Sequence, residues 1–208
     1  MSTPPGPSVP PDLGLPPLPA ESLDPYLDAA IRCFERFGVR RTRIQDIADE
    51  LGVNRVTVYR QVGPLRDLIG LLISRDLHRL VTSVLGEIAD PLTAPALVAM
   101  LARGVRQARQ HPVLAKVLAD EPELLAPLAF TGMQHLIDRV VPAVIGLLAL
   151  ANSEGSLVTP HPEIVADAVV RIGVSLVVTP PPGDLDAYLG VVLPPILGSN
   201  PETLAKLR

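Results

Sequence analysis

Tryptophan is absent from this 208-residue chain, and phenylalanine and tyrosine supply three residues each. A core of any size must therefore be aliphatic, and the 48% of hydrophobic residues is enough to build one. A single cysteine, Cys33, excludes an internal disulfide framework and suits a reducing compartment. It reads as a small packing residue rather than a reactive thiol. Long apolar runs are also missing. Val140–Ala151 is the longest candidate, it contains Pro142 and Gly146, and it falls short of the roughly 18 residues that span a bilayer. No basic stretch followed by an apolar segment opens the chain, so no signal peptide is expected and the cytoplasm is the expected location. There is no glycine-rich phosphate loop, no G-x-S-x-G elbow and no H-E-x-x-H pair. His78, His111, His135 and His161 are scattered without metal-ligand spacing. An enzyme is not expected, nor a metal, nor a cofactor.

What is present is a short organising stretch, Thr42–Tyr59, TRIQDIADELGVNRVTVY. Ile44, Ile47, Ala48 and Leu51 recur at helical spacing and define one apolar face. Thr42 and Gln45 fit a capping box, with Thr42 as N-cap. Gly52 supplies a stop and Asn54 a cap for a second helix, Arg55 to about Gln61. Val58 and Val62 point that helix inward and leave Arg55, Thr57, Tyr59 and Arg60 on other faces. Two short helices with a tight turn and a polar outer face suit a helix-turn-helix that enters a DNA major groove. An ordinary helical hairpin explains the spacing but not the agreement of caps, turn glycine and polar outer residues.

With AAIRCFERFGVRRTRIQDIADELGV followed by NRVTVYRQVGPLRDLI, residues 24–68 resemble the DNA-binding domain of TetR-family transcriptional regulators. The resemblance implies an all-α protein: an N-terminal three-helix DNA-binding domain followed by a helical-bundle domain for ligand binding and dimerisation. It implies DNA contacts from Thr42, Arg43, Asn54, Arg55, Thr57, Tyr59 and Arg60, with Tyr59 on a phosphate. Three positions depart from the usual pattern. Val62 stands for an aromatic, Val56 for a small residue, and Leu65 for a lysine that Arg66 follows.

Net charge is −4, but it is unevenly spread. Asp24 to Arg66 carries eight arginines against six acids, a balance of +2, which leaves −6 for the rest. Arg40, Arg41, Arg43, Arg55 and Arg60 gather around the helix-turn-helix, as a DNA binder requires.

Residues 1–23 hold eight prolines and read as a disordered arm without Lys or Arg. The expected division is this arm, a DNA-binding domain over 24–66, and an effector and dimerisation domain over 67–208. Asp24-Pro25 opens the first helix, Asp24 as N-cap, with Leu27, Ala30, Ile31, Phe34 and Phe37 as its stripe. A long helix should run from Leu65 to about Ala89. Others follow at about Ala94–Gln110, Pro112–Leu118, and Glu121 to Ala151, the last kinked at Pro142. The final pair should span about Pro162–Thr179 and Asp184–Leu197. These two are apolar on more than one side, and in the TetR family the corresponding helices pair with a second subunit. Ile164, Ala168, Ile172, Gly173, Leu176, Tyr188 and Val192 are the expected homodimer interface. Met100, Arg103, Phe130, Met133, His135 and Arg139 are candidates to line a site for an apolar or amphipathic small-molecule effector. The expected function is a homodimeric repressor reading a roughly palindromic double-stranded operator, with no membrane partner. The alternative is a helical dimeric ligand-binding protein that has lost DNA binding.

Overall fold

The computed structural model describes residues 17–87, 91–125 and 132–198. Its regular elements are all helical: α1 (Asp24–Phe37), α2 (Ile44–Leu51), α3 (Arg55–Val62), α4 (Leu65–Leu85), α5 (Ala94–Gln110), α6 (Pro112–Asp120), α7 (Met133–Ser153), α8 (Pro162–Val178) and α9 (Leu185–Leu197). Two 3-10 turns, Glu21–Leu23 and Pro122–Leu124, precede α1 and follow α6. The all-α expectation is met. Most of the proline-rich arm lies outside the described residues, but structure begins before Asp24. Leu23 is drawn into a turn because its side chain packs on the core beneath α1.

The chain forms two compact units. One gathers Pro16–Arg79 with Ala108–Met133, and the other takes Leu80–Gln107 with the residues from Gln134 on. The helix α6 thus belongs with α1–α3, although it follows α5 in the chain.

In the first unit Leu27, Ala30 and Phe34 of α1 meet Ile47 and Ala48 of α2, Val58 and Val62 of α3, and Leu68 and Leu72 of α4. Val113 of α6 packs against the same cluster. Each leucine or isoleucine fully withdrawn from water contributes roughly 1.5–3 kcal/mol, which is how helices of eight residues are held. Phe37 does not join this core. It is the last residue of α1, 41% exposed, with the Arg36 guanidinium 5.5 Å from its ring centroid.

The second unit is aliphatic. Val98, Ala102 and Val105 of α5 pack with Leu147, Leu148 and Ala151 of α7, Val165, Ala166, Val169 and Leu176 of α8, and Leu189, Leu193 and Leu197 of α9. By length and composition α7 could cross a bilayer, at 21 residues and a mean hydropathy of 1.5. Here its residues Ala143, Leu147, Leu148 and Ala151 are buried in a protein core. The helix runs through Pro142 as one element. The α7–α8 connection is stitched to the end of α9. The Thr159 hydroxyl donates to the Leu197 carbonyl at 2.7 Å and the Val158 N–H to the Gly198 carbonyl at 3.1 Å. Gly198 has φ +67°, and a Cβ there would lie 2.2 Å from the Val158 carbonyl oxygen, so no other residue fits without moving backbone.

Candidate nucleic-acid interface

The turn between α1 and α2 is set by Gly38 and Thr42. Gly38 takes φ +85° and its N–H closes α1 on the Phe34 carbonyl. Thr42 then turns inward. Its hydroxyl donates to the Gly38 carbonyl at 2.7 Å, with the Cys33 carbonyl at 3.3 Å, and its own N–H reaches Gly38 at 3.3 Å. At 2% exposure Thr42 is not the cap of α2 and does not offer its hydroxyl outward. Arg43 is the N-cap, with extended backbone, and the Asp46 carboxylate accepts its N–H at 2.7 Å. Gln45 instead bonds Asp49 at 2.7 Å. The capping register is therefore one residue later than the sequence suggests, because the threonine hydroxyl finds a better partner in the preceding turn. Burial pushes the Cys33 thiol up, as expected of a packing residue.

Between α2 and α3, Gly52 takes the left-handed conformation at φ +66°, and the Val53 N–H returns to the Ala48 carbonyl at 3.0 Å. Asn54 caps α3, its Oδ1 accepting the Val56 N–H at 2.8 Å. On α3, Val58 and Val62 are buried while Arg55 and Arg60 are exposed and Thr57 is half-buried. Tyr59 is 53% and Val56 70% exposed. Val56 therefore joins Arg55 on the outer face. The periodicity placed it away from Val58 and Val62, but its apolar type hid the point.

The charges divide into two sets. Arg32 and Arg36 brace α1 to α2 through Glu50, at 2.6 and 3.3 Å. The hydrogen bond from Arg32 holds the Glu50 carboxyl below the usual carboxylate range. Arg40 pairs with Glu123 at 2.6 Å. Arg43, Arg55 and Arg60 have no ion pair among the described residues and stand exposed on the α2–α3 face. No acid lies between Asn54 and Val62. That face presents fixed positive charge, an exposed tyrosine hydroxyl and backbone at the start of two helices, which is what a phosphate backbone meets.

A second constellation lies across α1, α4 and the start of α6, and nothing in the periodicity indicated it. Arg75, 1% exposed, reaches Asp28 at 2.7 Å, Asp76 at 2.9 Å and Asp24 at 3.2 Å. Arg79 holds the other oxygen of Asp24 at 2.8 Å, and His111 Nε2 lies 3.0 Å from Asp76. Asp24 is the first residue of α1 rather than its cap, since its carboxylate is committed to these arginines. Burial raises the Asp76 pKa, but the hydrogen bonds from His111 and Arg75 outweigh it and leave the carboxyl below its ordinary range.

The expected effector residues differ in their exposure. Met100 is 5% exposed in the second core, Arg103 pairs with Glu87, and Met133 and Arg139 are half-buried. His135 is exposed, and Phe130 lies outside the described residues. The expected dimer strip also needs correction. A Cβ on Gly173 would lie 2.9 Å from Leu101 Cδ1, and Leu176 is 5% exposed in the second core. Gly173 and Leu176, together with the small residues Ala166 and Val170, face their own unit, because α8 packs on α5 there and spends its small residues on that approach. Of the other residues expected at the interface, Ile164 is 68% and Tyr188 40% exposed, while Ala168, Ile172 and Val192 are half-buried. Val191, 75% exposed, lies near Tyr188 on α9. Arg171 pairs with Asp167 on α8, at 2.6 and 3.1 Å.

Comparison with known proteins agrees with this geometry. Residues 27–61 match the family model of bacterial regulatory proteins of the tetR family. The chain is 27% identical over 126 residues to the HTH-type transcriptional repressor DrrR1 of Streptomyces coeruleorubidus, a match covering 61% of this chain and 46% of the relative. It thus spans about half the length of that protein. Among solved structures, the TetR family repressor AlkX of Dietzia sp. strain DQ12-45-1b superposes with a TM-score of 0.59 at 22% identity, over 83% of this chain and 93% of the other. Salmonella enterica GusR gives 0.63 at 16% identity, over 86% and 97%. These two likenesses establish the shared fold. The family's own helix-turn-helix segment is realised here as α1–α3, and over residues 27–61 the chain carries the segment that defines the tetR family of bacterial regulatory proteins.

Proposed function

We propose that this chain is a sequence-specific DNA-binding transcriptional regulator of the cytoplasm, acting as a repressor on a roughly palindromic operator. The observation that carries the reading is the outer face of α3. A capped eight-residue helix, held from behind by α1 and α2, exposes Arg55, Val56, Tyr59 and Arg60 with no acid among them. Arg55, in the first turn, suits a guanine edge through two parallel hydrogen bonds. The Thr57 and Val56 methyls suit a thymine methyl. Tyr59, Arg60 and Arg43 suit phosphates, as do the first-turn amides of α2 beside Thr42, whose hydroxyl is occupied. Asn54 is first a cap, and its amide nitrogen remains for DNA.

A second copy of the chain completes the proposal. A C2 dimer would place two α3 helices on one face of the duplex, matched to a palindrome. Ile164 and Val178 on α8, and Tyr188 and Val191 on α9, are exposed apolar residues that such a dimer would cover. Release by an apolar or amphipathic effector fits the aliphatic helices of the second unit. A coupling of about 1–3 kcal/mol between effector and operator is enough to switch such a regulator.

The test is selection from random double-stranded DNA by the full-length protein, followed by titration of the enriched site at several salt concentrations. A palindromic motif is expected, with affinity falling as salt rises. Arg55→Ala should weaken that site by about 10–100-fold and relax one or two positions within each half. Enrichment of no motif, or an unchanged affinity for the Arg55→Ala protein, overturns the reading.

A further inference from the structure

At the end of α6, where Glu121 lies against the turn that launches α2, the carboxylate accepts the Val39 N–H at 2.7 Å through Oε2 and the Arg40 N–H at 3.3 Å through Oε1. It occupies space that only glycine leaves open, since a Cβ on Gly38 would lie 2.9 Å from Glu121 Oε1. Gly38 also has φ +85°, so the same residue makes the turn and admits the carboxylate. From the other side the Thr42 hydroxyl holds the Gly38 carbonyl at 2.7 Å. The next residue, Arg43, caps α2. The turn is therefore gripped from outside by α6 and from inside by Thr42, immediately before the helix-turn-helix.

Glu121 is itself fixed by the chain around it. Its N–H closes α6 on the Val117 carbonyl at 3.0 Å, and its own carbonyl accepts the Leu124 N–H at 3.0 Å, with Pro122 between. The chain then continues toward α7. A shift of the turn Pro122–Leu124 therefore acts directly on the backbone that carries the carboxylate. The other end of α6 is held as well, by His111 on Asp76. Glu123 makes a different contact. Its pair with Arg40 joins two side chains that are 60% and 54% exposed, and pairs of that kind contribute little.

We infer that the Glu121 carboxylate is a releasable latch on the Gly38–Arg40 turn, through which movement of the chain after α6 sets operator affinity. The latched turn is the DNA-competent form. Releasing it leaves a loose turn that must be ordered again when α2 and α3 seat on DNA, and that ordering weakens binding. This inference rests on the proposed DNA reading.

The test uses the full-length protein as wild type, Glu121→Ala, Glu121→Gln and Glu123→Ala, with helical content checked by circular dichroism. Hydrogen–deuterium exchange of a peptide spanning residues 38–42 is followed without DNA, and affinity is measured on the motif selected by the wild type. A hydrogen bond to a charged acceptor carries enough energy for Glu121→Ala to speed exchange in this peptide and weaken the operator complex by about tenfold each. Exchange in α8 should stay unchanged. Glu121→Gln, which keeps one accepting oxygen, should fall between, and Glu123→Ala should stay within about twofold on both readouts. Should Glu121→Ala fail to fold, Glu121→Gln alone decides. Unchanged exchange over 38–42 overturns the latch. Faster exchange with unchanged affinity reduces it to a staple and overturns its role in coupling. Loosening spread across the whole chain overturns it as a local device. A wild type that selects no motif overturns the coupling together with the proposed function, and the exchange data then show whether the grip on the turn exists without it.

Discussion

The two units of this molecule are held by different forces. The α1–α3 unit is laced with charge: Glu50 ties two arginines of α1, Arg75 gathers three aspartates, and Glu121 grips the turn before α2. The second unit relies on aliphatic packing across α5, α7, α8 and α9, with its charged pairs such as Arg106–Asp186 at the surface. A helix as short as α3 buries only Val58 and Val62, whereas α8 buries Val165, Ala166, Val169, Val170, Gly173 and Leu176. A small unit that must leave a polar helix face open has little apolar surface left to bury. Directional bonds then do the positioning that packing does elsewhere.

The contrast can be broken most severely at Arg75. Arg75→Ala leaves Asp24, Asp28 and Asp76 facing one another without their shared cation. It should destabilise the first unit by about 3 kcal/mol or more, seen as a lower-melting transition that leaves α8 and α9 protected in hydrogen exchange. A single transition with all helices lost together would show that the units do not differ in this way. On the apolar side, Leu189→Ala in the second core should cost about 2–5 kcal/mol and spare the first unit. Val191→Asp, on the exposed face of α9, should leave helicity intact and lower the mass in solution if that face carries the proposed dimer. An unaltered mass would remove Val191 from the interface.

A milder lever is pH. Asp76 titrates below its ordinary range in the folded chain, so the unfolded state takes up its proton first as acid is added. Its contribution is fully present above about pH 4 and is lost as pH falls through the folded value. Thermal melts taken downward from neutral pH should show the first unit weakening below about pH 4, and Asp76→Asn should flatten that decline. The smallest effect is expected at Asn54. Removing the cap by Asn54→Ala should cost about 1 kcal/mol, read as a small drop in the first unit's melting temperature.

Much of the first unit was legible because its signals are local. Gly52 and Asn54 mark a helix end and a helix start through backbone needs that depend on neighbours one to five residues away. The alternation of Val58 and Val62 with Arg55 and Tyr59 gave the faces of α3 for the same reason. Local reading failed where a side chain had a better partner outside the pattern. Thr42 matches a cap by type, yet its hydroxyl turns to Gly38, and Asp24 matches a cap, yet its carboxylate goes to Arg75 and Arg79. Gly173 and Leu176 failed differently. Helix α8 is apolar nearly all round, so periodicity could not say which side meets α5.

The sequence by itself determined that the chain is helical, where most helices begin and end, and that Thr42–Tyr59 carries the family's helix-turn-helix. Spacing and capping act over a few residues and are written directly in the order of side chains. The tertiary structure decided which partners the charged groups chose, which side of α8 lies inward, and that α6 returns to the first unit with Glu121 on the turn at Gly38. Those contacts join residues some 80 positions apart, such as Val39 and Glu121, and no local rule specifies them. They follow from how the helices pack, because only the packed chain brings a carboxylate within reach of two amides that its own neighbourhood leaves without a partner.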